Sequence, residues 1–427
     1  MTWRLLQPTM ASGAALLLAV VAAGCFKGEP AVRPREALAQ ATERINAALA
    51  EERALAAATP RTQPRELPED RARLVFWYYN HPLISGAMLS DRGRVAGFQR
   101  AHPGIELHHQ YIGDWGVAIQ KLTVSLAAGD VPDVALIKRG WLARLVAAGR
   151  ASPLDGLLPA ALLEDVQAPA RRALSLDGRL YALPADGFCS VLYYNRDVVG
   201  DAPPTTWEEL RRSARQVTRP DEDSGASFYA LGDMPFIEAL WSAGGRVCDD
   251  LACDLSSPAA ADALEFVLSL RDEGLAHPRA LGRPDGAFDL FLRGGVAMTV
   301  ASSAYWPRAQ RAAFPAAMAP APGKSGPASK LSDDALVVFA RYADAKREAI
   351  AALLDWLTGP EVQGQDAADA GSVPVRRSVA EATSVSPALA EAYGLARNTP
   401  LIGAWSTVEF ELMRSLALAY RWRPPAE

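Results

Sequence analysis

The sequence predicts an α/β protein with mostly parallel sheets, because short buried strands alternate with amphipathic helices. The run over 74–79 is apolar and rich in aromatic residues, as expected for a strand buried on both faces. Further strands are predicted over 104–109 and 133–137, each preceded by a helical pattern. Helical patterns dominate the second half of the chain, and strand-like runs return at 296–301 and 335–340.

Length and composition limit the function. The chain has 427 residues, of which 50% are apolar and 22% charged, and its net charge is −5. At roughly 100–200 residues per domain, this length predicts two or three domains. The acidic balance gives no positive field for nucleic acid, so we predict no nucleic-acid partner. The sequence contains no complete phosphate-loop, nucleophile-elbow or metal-helix motif, so we predict no cofactor and no metal. Missing motifs do not by themselves exclude an enzyme, but they favour binding by shape, aromatic stacking and hydrogen bonds over catalysis.

The first 24 residues have the features of a signal peptide. Their apolar run, 13–23, is shorter than the about 20 residues that span a bilayer. The run ends in Val21-Ala22-Ala23-Gly24-Cys25, which resembles the lipobox of bacterial lipoproteins. We therefore predict lipidation of Cys25 and anchoring to the cell membrane on the extracytoplasmic side, either periplasmic or at the outer face. An ordinary secretory signal with a chance cysteine is the alternative.

Residues 25–72 are predicted to form the lipidated cysteine and a spacer. Arg35–Ala58 is rich in Ala, Glu and Arg and places apolar residues on one helical face. Three prolines then follow within 60–68. We predict a solvated helix and a stiff linker that hold the globular body away from the membrane. A partner-binding coiled coil is the alternative.

The cysteines predict one disulfide. Cys248 and Cys253 are separated by four residues and could close a small loop in an oxidising compartment. Cys189 would then remain as a buried thiol. A metal site at the pair has little support, because no histidine lies nearby in the sequence.

From about residue 73 to the C-terminus, a series of motifs follows the order of one known family. In chain order the motifs are 102–105 (HPGI), 127–134 (AAGDVPDV), 177–184 (DGRLYALP), 192–195 (LYYN), 204–210 (PTTWEEL), 291–298 (FLRGGVAM), 356–363 (WLTGPEVQ) and 371–374 (GSVP). Each motif alone is weak, but their shared order and spacing are specific. The sequence resembles the extracellular solute-binding proteins of ABC importers, in the sugar-binding branch that contains maltose-binding protein.

The resemblance implies the two-lobe periplasmic-binding-protein fold, also called the Venus flytrap fold. Each lobe would be a mostly parallel sheet flanked by helices, and the lobes would close over the ligand. Hinge crossovers are expected near Gly187–Ser190, Asp333 and Val379. The first lobe would then contain residues 73–188 plus 333–380, and the second lobe residues 189–332 plus 381–427.

The resemblance also implies where a ligand would bind. Aromatic rings can stack on the C–H faces of a sugar, and polar side chains can bond its hydroxyls. The residues at the family's cleft positions are Tyr79, Asn80, Arg139, Trp141, Asp186, Phe188, Asp233, Trp241, Tyr305, Trp306 and Trp405. Trp306 matches a stacking platform of the family. At Asn80 this sequence lacks the charged pair of maltose-binding protein, so maltose itself is not implied.

The function implied by the resemblance is solute binding without catalysis. A lipid-anchored monomer would capture a carbohydrate and deliver it to the permease subunits of an ABC importer. One alternative is a receptor for glycerol phosphate or another polyol, and phosphate binding would use the cations Lys138, Arg139 and Arg308. Another alternative is a protein that presents its ligand to a membrane sensor.

Overall fold

The computed structural model describes residues 31–58, 73–79, 94–113, 115–219, 228–248, 252–278, 280, 282, 284–332, 334–340 and 343–421. Cys25 and Asn80 lie outside these ranges, and so does the crossover position Asp333. Within the described ranges, none of the helices combines the length and the apolar character that crossing a membrane requires.

Strands and helices alternate along the described chain. The strands are β1 (Arg73–Tyr78), β2 (Glu106–Tyr111), β3 (Val134–Lys138), β4 (Ser175–Leu176), β5 (Arg179–Leu180), β6 (Ala182–Pro184), β7 (Ser190–Asn195), β8 (Tyr229–Leu231), β9 (Val296–Ser302), β10 (Ala316–Ala319), β11 (Ser329–Lys330), β12 (Asp334–Val338) and β13 (Ala396–Arg397). The helices are α1 (Pro34–Ala58), α2 (Arg94–Ala101), α3 (Trp115–Ala128), α4 (Leu142–Ala147), α5 (Ala160–Asp165), α6 (Ala168–Ala173), α7 (Arg196–Val199), α8 (Trp207–Val217), α9 (Phe236–Ser242), α10 (Pro258–Asp272), α11 (Pro284–Leu292), α12 (Trp306–Ala309), α13 (Arg347–Thr358), α14 (Pro360–Ala370), α15 (Arg377–Ala382), α16 (Pro387–Leu395) and α17 (Trp405–Arg421).

Two sheets organise the molecule, and both are of mixed direction. The first has the order β2-β1-β3-β12-β6, with β1 parallel to β2 and β3 and β12 antiparallel to β3 and β6. The second has the order β10-β7-β9-β8, in which only β8 and β9 are parallel. The α/β class is confirmed, whereas the expectation of mostly parallel sheets is wrong for the second sheet. The reason is that β7 and β10 run antiparallel to their neighbours.

The chain passes between the sheets at the first predicted crossover. β6 ends in the first sheet and β7 begins in the second, so residues 185–189 connect them. Gly187 lies on this connection, where an added Cβ would stand only 1.8 Å from the Val373 carbonyl oxygen. The Val373 amide donates to the Gly187 carbonyl at 3.1 Å. Two of the family-like motifs are therefore neighbours in space, and Gly187 permits their close approach.

The predicted N-terminal helix forms, but it is not a solvated spacer. α1 packs against α17 and α10, and its apolar face is part of the core of the second sheet's lobe. Leu38 is 2% exposed and Ile45 0%. Arg44 Nε lies 2.5 Å from a carboxylate oxygen of Glu411 on α17. The prediction failed because an apolar stripe needs a partner, and the partner helix lies at the other end of the sequence.

The structure places the two cysteines of the predicted disulfide next to each other. Cys248 and Cys253 are opposite each other in an isolated antiparallel bridge, and both are buried. The structure records them as thiols rather than as a disulfide. Cys189 is a buried thiol, as predicted, and burial raises its pKa to about 12. At neutral pH it is therefore protonated and weakly nucleophilic.

Candidate functional site

A polar cluster lies at one end of the first sheet. Tyr79 follows β1, Lys138 ends β3 and Asp334 begins the antiparallel β12, so the sheet topology brings them together. Lys138 Nζ lies 2.8 Å from Asp334 Oδ1, and the Tyr79 hydroxyl donates to the same oxygen. Burial raises the pKa of the Asp334 carboxyl, but the adjacent ammonium opposes that rise. The geometry is that of an ion pair with an added hydroxyl donor.

The first crossover adds Asp186 and Phe188 to this cluster. Both side chains are buried, and the Phe188 amide donates to Asp186 Oδ1 at 3.2 Å. Ser332 interacts with the Asp186 carboxyl and lies 3.5 Å from Asp334 Oδ2. Burial raises the pKa of Asp186 to about 6, although the Phe188 amide and the Lys138 ammonium oppose the rise. The cluster therefore joins the sheet edge to the hinge.

Arg139 was predicted to touch the ligand, but the structure gives it a positioning role. Its side chain is 1% exposed. Nη2 donates to the Thr399 carbonyl at 2.7 Å and to the Thr399 hydroxyl at 2.6 Å. Nη1 lies 3.4 Å from the Ala173 carbonyl oxygen. The guanidinium therefore joins the turn after β3 to the segment that leads into α17.

Two of the predicted tryptophans lie on either side of the same turn. Trp405 begins α17 and is 4% exposed, as part of the second lobe's core. An added Cβ on Gly140 would lie 3.2 Å from Trp405 Cδ1. Trp141 is half-buried and packs against the core of the first sheet. Trp405 is thus a packing residue between the lobes, and Trp141 retains an exposed fraction.

Tyr305 and Trp306 lie in the loop after β9, and both are half-buried. The Tyr305 ring packs on Phe288, with centroids 4.7 Å apart. Trp306 lies against Gly371, where an added Cβ would be 2.8 Å from Trp306 Cβ. Gly371 directly follows α14. Trp306 therefore lies where the loop after β9 of the second sheet contacts the segment that follows α14. Tyr305 instead packs toward its own lobe.

The second lobe contributes a buried acidic group near β8 and α9. Asp233 is 2% exposed, and its Oδ1 accepts the Gly282 amide at 2.9 Å. Burial raises the pKa of Asp233 to about 7, and the charge of Glu238 adds to the rise. Glu238 is 3% exposed and accepts the Ser190 hydroxyl at 2.6 Å. Trp241 lies one turn further along α9 and is also buried, at 8% exposed.

The structure brings only part of the predicted set together. Tyr79, Asp186 and Phe188 meet at the first sheet's edge, whereas Asp233 lies in the other lobe, where its carboxylate accepts the Gly282 amide. Sequence reasoning missed Asp334 and Glu238. A signal was available for Asp334, because it directly precedes the predicted strand 335–340.

Comparison with known proteins identifies the family. Residues 87–364 match the family described as bacterial extracellular solute-binding protein. The chain belongs to this family. Its members are solute-binding proteins rather than enzymes, and they act outside the cytoplasm.

Individual relatives agree with this assignment. A binding protein of Brucella abortus (strain 2308) is 31% identical over 222 residues, which are 48% of this chain and 52% of the relative. The chain thus spans about half the length of such curated relatives. The mannitol-binding protein of Pseudomonas aeruginosa is 32% identical over 131 residues, covering 29% of this chain and 30% of that protein.

The fold is also that of solved binding proteins. The sugar-binding protein MalE of Xanthomonas citri superposes with a TM-score of 0.70 at 21% identity, covering 82% of this chain and 92% of the other. This similarity shows that the chain has the two-lobe architecture predicted from its motifs.

Proposed function

We propose that this solute-binding protein captures a neutral carbohydrate between its lobes and delivers it to an ABC import permease. The observation that carries the proposal is the composition of the junction between the lobes. Aromatic side chains, Trp306 and Trp141, keep part of their surface exposed there. Hydroxyl and carboxylate groups lie at the neighbouring sheet edge. Rings that stack on C–H faces, combined with oxygens that bond hydroxyls, suit a sugar.

The charges favour a neutral ligand over a phosphate ester. Two of the cations that a phosphate would need are already used, because Arg139 is buried against Thr399 and Lys138 is paired with Asp334. Arg308, the third, pairs with Asp289 at 2.6 Å. An anionic ligand would have to displace these partners, and it would also meet the buried Asp186. The glycerol phosphate alternative is thereby disfavoured, while a neutral polyol remains compatible.

Similarity to a mannitol-binding protein supports a polyol as the second candidate ligand. A sugar alcohol offers the same hydroxyls without a closed ring, so it would use the polar edge more than the aromatic surfaces. We also propose that Cys25 carries a lipid that keeps the protein at the membrane, beside its permease. That proposal rests on the lipobox-like sequence before Cys25.

A thermal-shift screen tests the ligand class. Neutral mono- and oligosaccharides, mannitol and glycerol phosphate are added separately to the purified protein. A ligand at 100 times its Kd adds about 2.7 kcal/mol to the free energy of unfolding, so the correct class raises Tm clearly. We expect a neutral carbohydrate to give the largest rise. Stabilisation by glycerol phosphate alone would contradict the proposal, and stabilisation by mannitol alone would select the polyol.

A matched pair of tryptophan variants tests the site. We expect Trp306→Ala to weaken binding of the stabilising sugar by about tenfold or more, since a loss of about 1.4 kcal/mol corresponds to a tenfold change. Trp207→Phe is the control, because Trp207 stacks on Phe266 within the second lobe, with centroids 4.1 Å apart. Isothermal titration of both variants gives the comparison. Unchanged affinity in Trp306→Ala would remove Trp306 from the site.

A further inference from the structure

The pair Cys248 and Cys253 has the backbone geometry of a cross-strand disulfide. The two residues are opposite each other in an antiparallel bridge, and the Asp254 amide donates to the Val247 carbonyl at 3.3 Å. This bond flanks the cysteine pair, which makes the pair a non-hydrogen-bonded one. In such pairs the Cα atoms are about 4.5 Å apart and the side chains approach most closely. Disulfides accept Cα separations of about 4.4–6.8 Å.

The outward side of the pair is bound by the N-terminal helix. In a non-hydrogen-bonded pair, the amide and carbonyl of each residue point away from the partner strand. The Asn46 side chain on α1 forms hydrogen bonds with both of these groups of Cys253. Its Oδ1 accepts the Cys253 amide at 2.7 Å, and its Nδ2 lies 3.4 Å from the Cys253 carbonyl oxygen. Thr42, one turn earlier, accepts the Leu255 amide at 3.2 Å. The segment 253–255 is therefore the backbone to which α1 docks.

We propose that Cys248 and Cys253 form a disulfide outside the cytoplasm, and that this bond fixes the segment to which α1 docks. Extracytoplasmic proteins meet an oxidising environment, and the family places this chain there. Fixing the loop between the cysteines holds the Cys253 amide and carbonyl in the positions that Asn46 bonds. The proposal is independent of which solute the protein binds.

The chemistry is thiol–disulfide exchange with a disulfide oxidant, such as an envelope thiol oxidoreductase or glutathione disulfide. One cysteine thiolate attacks the oxidant's disulfide and forms a mixed disulfide, and the first thiol of the oxidant leaves. The second cysteine thiolate then displaces the remaining thiol. The protein loses two protons and two electrons, and the oxidant is reduced to two thiols. Because both side chains are 5% exposed or less, the exchange occurs before the second lobe completes its packing.

Peptide mapping tests for the bond in the full chain. Trypsin cleaves after Arg246 and Arg271, so one peptide, 247–271, contains both cysteines. The protein is exported to the envelope, unfolded and alkylated, either directly or after reduction. We expect the peptide to carry no adduct without reduction and two adducts after it, whereas Cys189 is alkylated in both samples. Two adducts on 247–271 without reduction, even after refolding with glutathione disulfide, would overturn the proposal.

Limited proteolysis tests the coupling to α1. Arg44 lies on α1 and is bound to Glu411, so tryptic cleavage after Arg44 reports undocking of the helix. We expect reduction of the wild type to speed this cleavage several-fold, and Cys248→Ser to be fast with or without reductant. Cys189→Ala should respond to reductant as the wild type does. Asn46→Ala should be cleaved rapidly even when oxidised. Equal rates in oxidised and reduced wild type would disprove the coupling.

Discussion

Asp233 is a buried carboxyl whose protonation affects stability. Burial raises its pKa from 3.8 to about 7, so the folded state holds the proton more tightly than the unfolded chain does. Its favourable contribution is therefore complete below pH about 4 and is lost as the pH rises to about 7. Asp233→Asn keeps an oxygen acceptor for the Gly282 amide and removes the titration.

Urea unfolding of the wild type and Asp233→Asn across this pH range measures the effect. As the pH rises from about 4 to about 7, the wild type should lose stability relative to the variant. We expect the difference between their free energies of unfolding to change by up to about 1.4 kcal/mol per pH unit, in favour of the variant. Asp165→Asn is a control, because at that half-buried carboxyl the effect of burial on the pKa is outweighed by hydrogen bonds from Ser378, which lower it, so its curve should not show the same gain. Parallel stability curves for wild type and Asp233→Asn would show that the Asp233 carboxyl keeps an ordinary pKa.

The candidate site shows which residue properties can be predicted from the sequence. Tyr79 and Asp186 were expected at the cleft because the resemblance implies that they occupy the family's cleft positions, and both lie at the first sheet's edge. Arg139 was expected there for the same reason, but its guanidinium bonds Thr399, 260 residues away in the chain. The motifs that carry the resemblance are local stretches of sequence. The partner that neutralises or buries a charged side chain is set by tertiary contacts, which no local pattern reveals.

At the scale of secondary-structure elements, the sequence predicts helix ends well where the two residues that form the cap are close in sequence. The start of α8 is an example: the Glu209 amide donates to the Thr206 hydroxyl at 3.1 Å, and the Glu209 carboxylate accepts the Thr206 amide at 3.3 Å. The motif 204–210 contains the Thr-x-x-Glu pattern of such a capping box. The docking of α1 onto α17 was not foreseen, because the two helices lie at opposite ends of the chain.

The docked position of α1 predicts a large stability effect from its apolar face. Ile45 is completely buried, so Ile45→Ala should lower the free energy of unfolding by about 2–5 kcal/mol through lost burial and the resulting cavity. Glu43→Ala is the matched control, since Glu43 is exposed on the same helix. A solvated spacer would give equal, small effects for both substitutions. Denaturant unfolding of the two variants distinguishes these outcomes.

At the scale of the whole molecule, the order of the strands in the two sheets differs from their order in the sequence. The first sheet includes β12, which lies far from β1–β3 in the sequence. The strands of the second sheet, β7 to β10, all lie in the sequence between β6 and β12 of the first sheet. Alternating strands and helices predicted the class, and the motif order predicted the two lobes. The mixed direction of the strands was missed, because burial patterns record which residues are inside and not which way a strand runs.

The contact between Arg139 and Thr399 connects the lobes, so it should affect their closure. Arg139 follows β3 of the first sheet, and Thr399 precedes α17, which belongs to the second lobe's core. Arg139→Met removes the guanidinium but keeps most of the apolar stem, leaving the buried Thr399 carbonyl without this donor. We expect a larger radius of gyration in small-angle scattering without ligand, and weaker sugar binding. The exposed Arg172→Met should change neither quantity.

If Arg139→Met keeps the wild-type radius and affinity, the contact does not control closure. If affinity falls while the radius is unchanged, Arg139 acts on the ligand site itself.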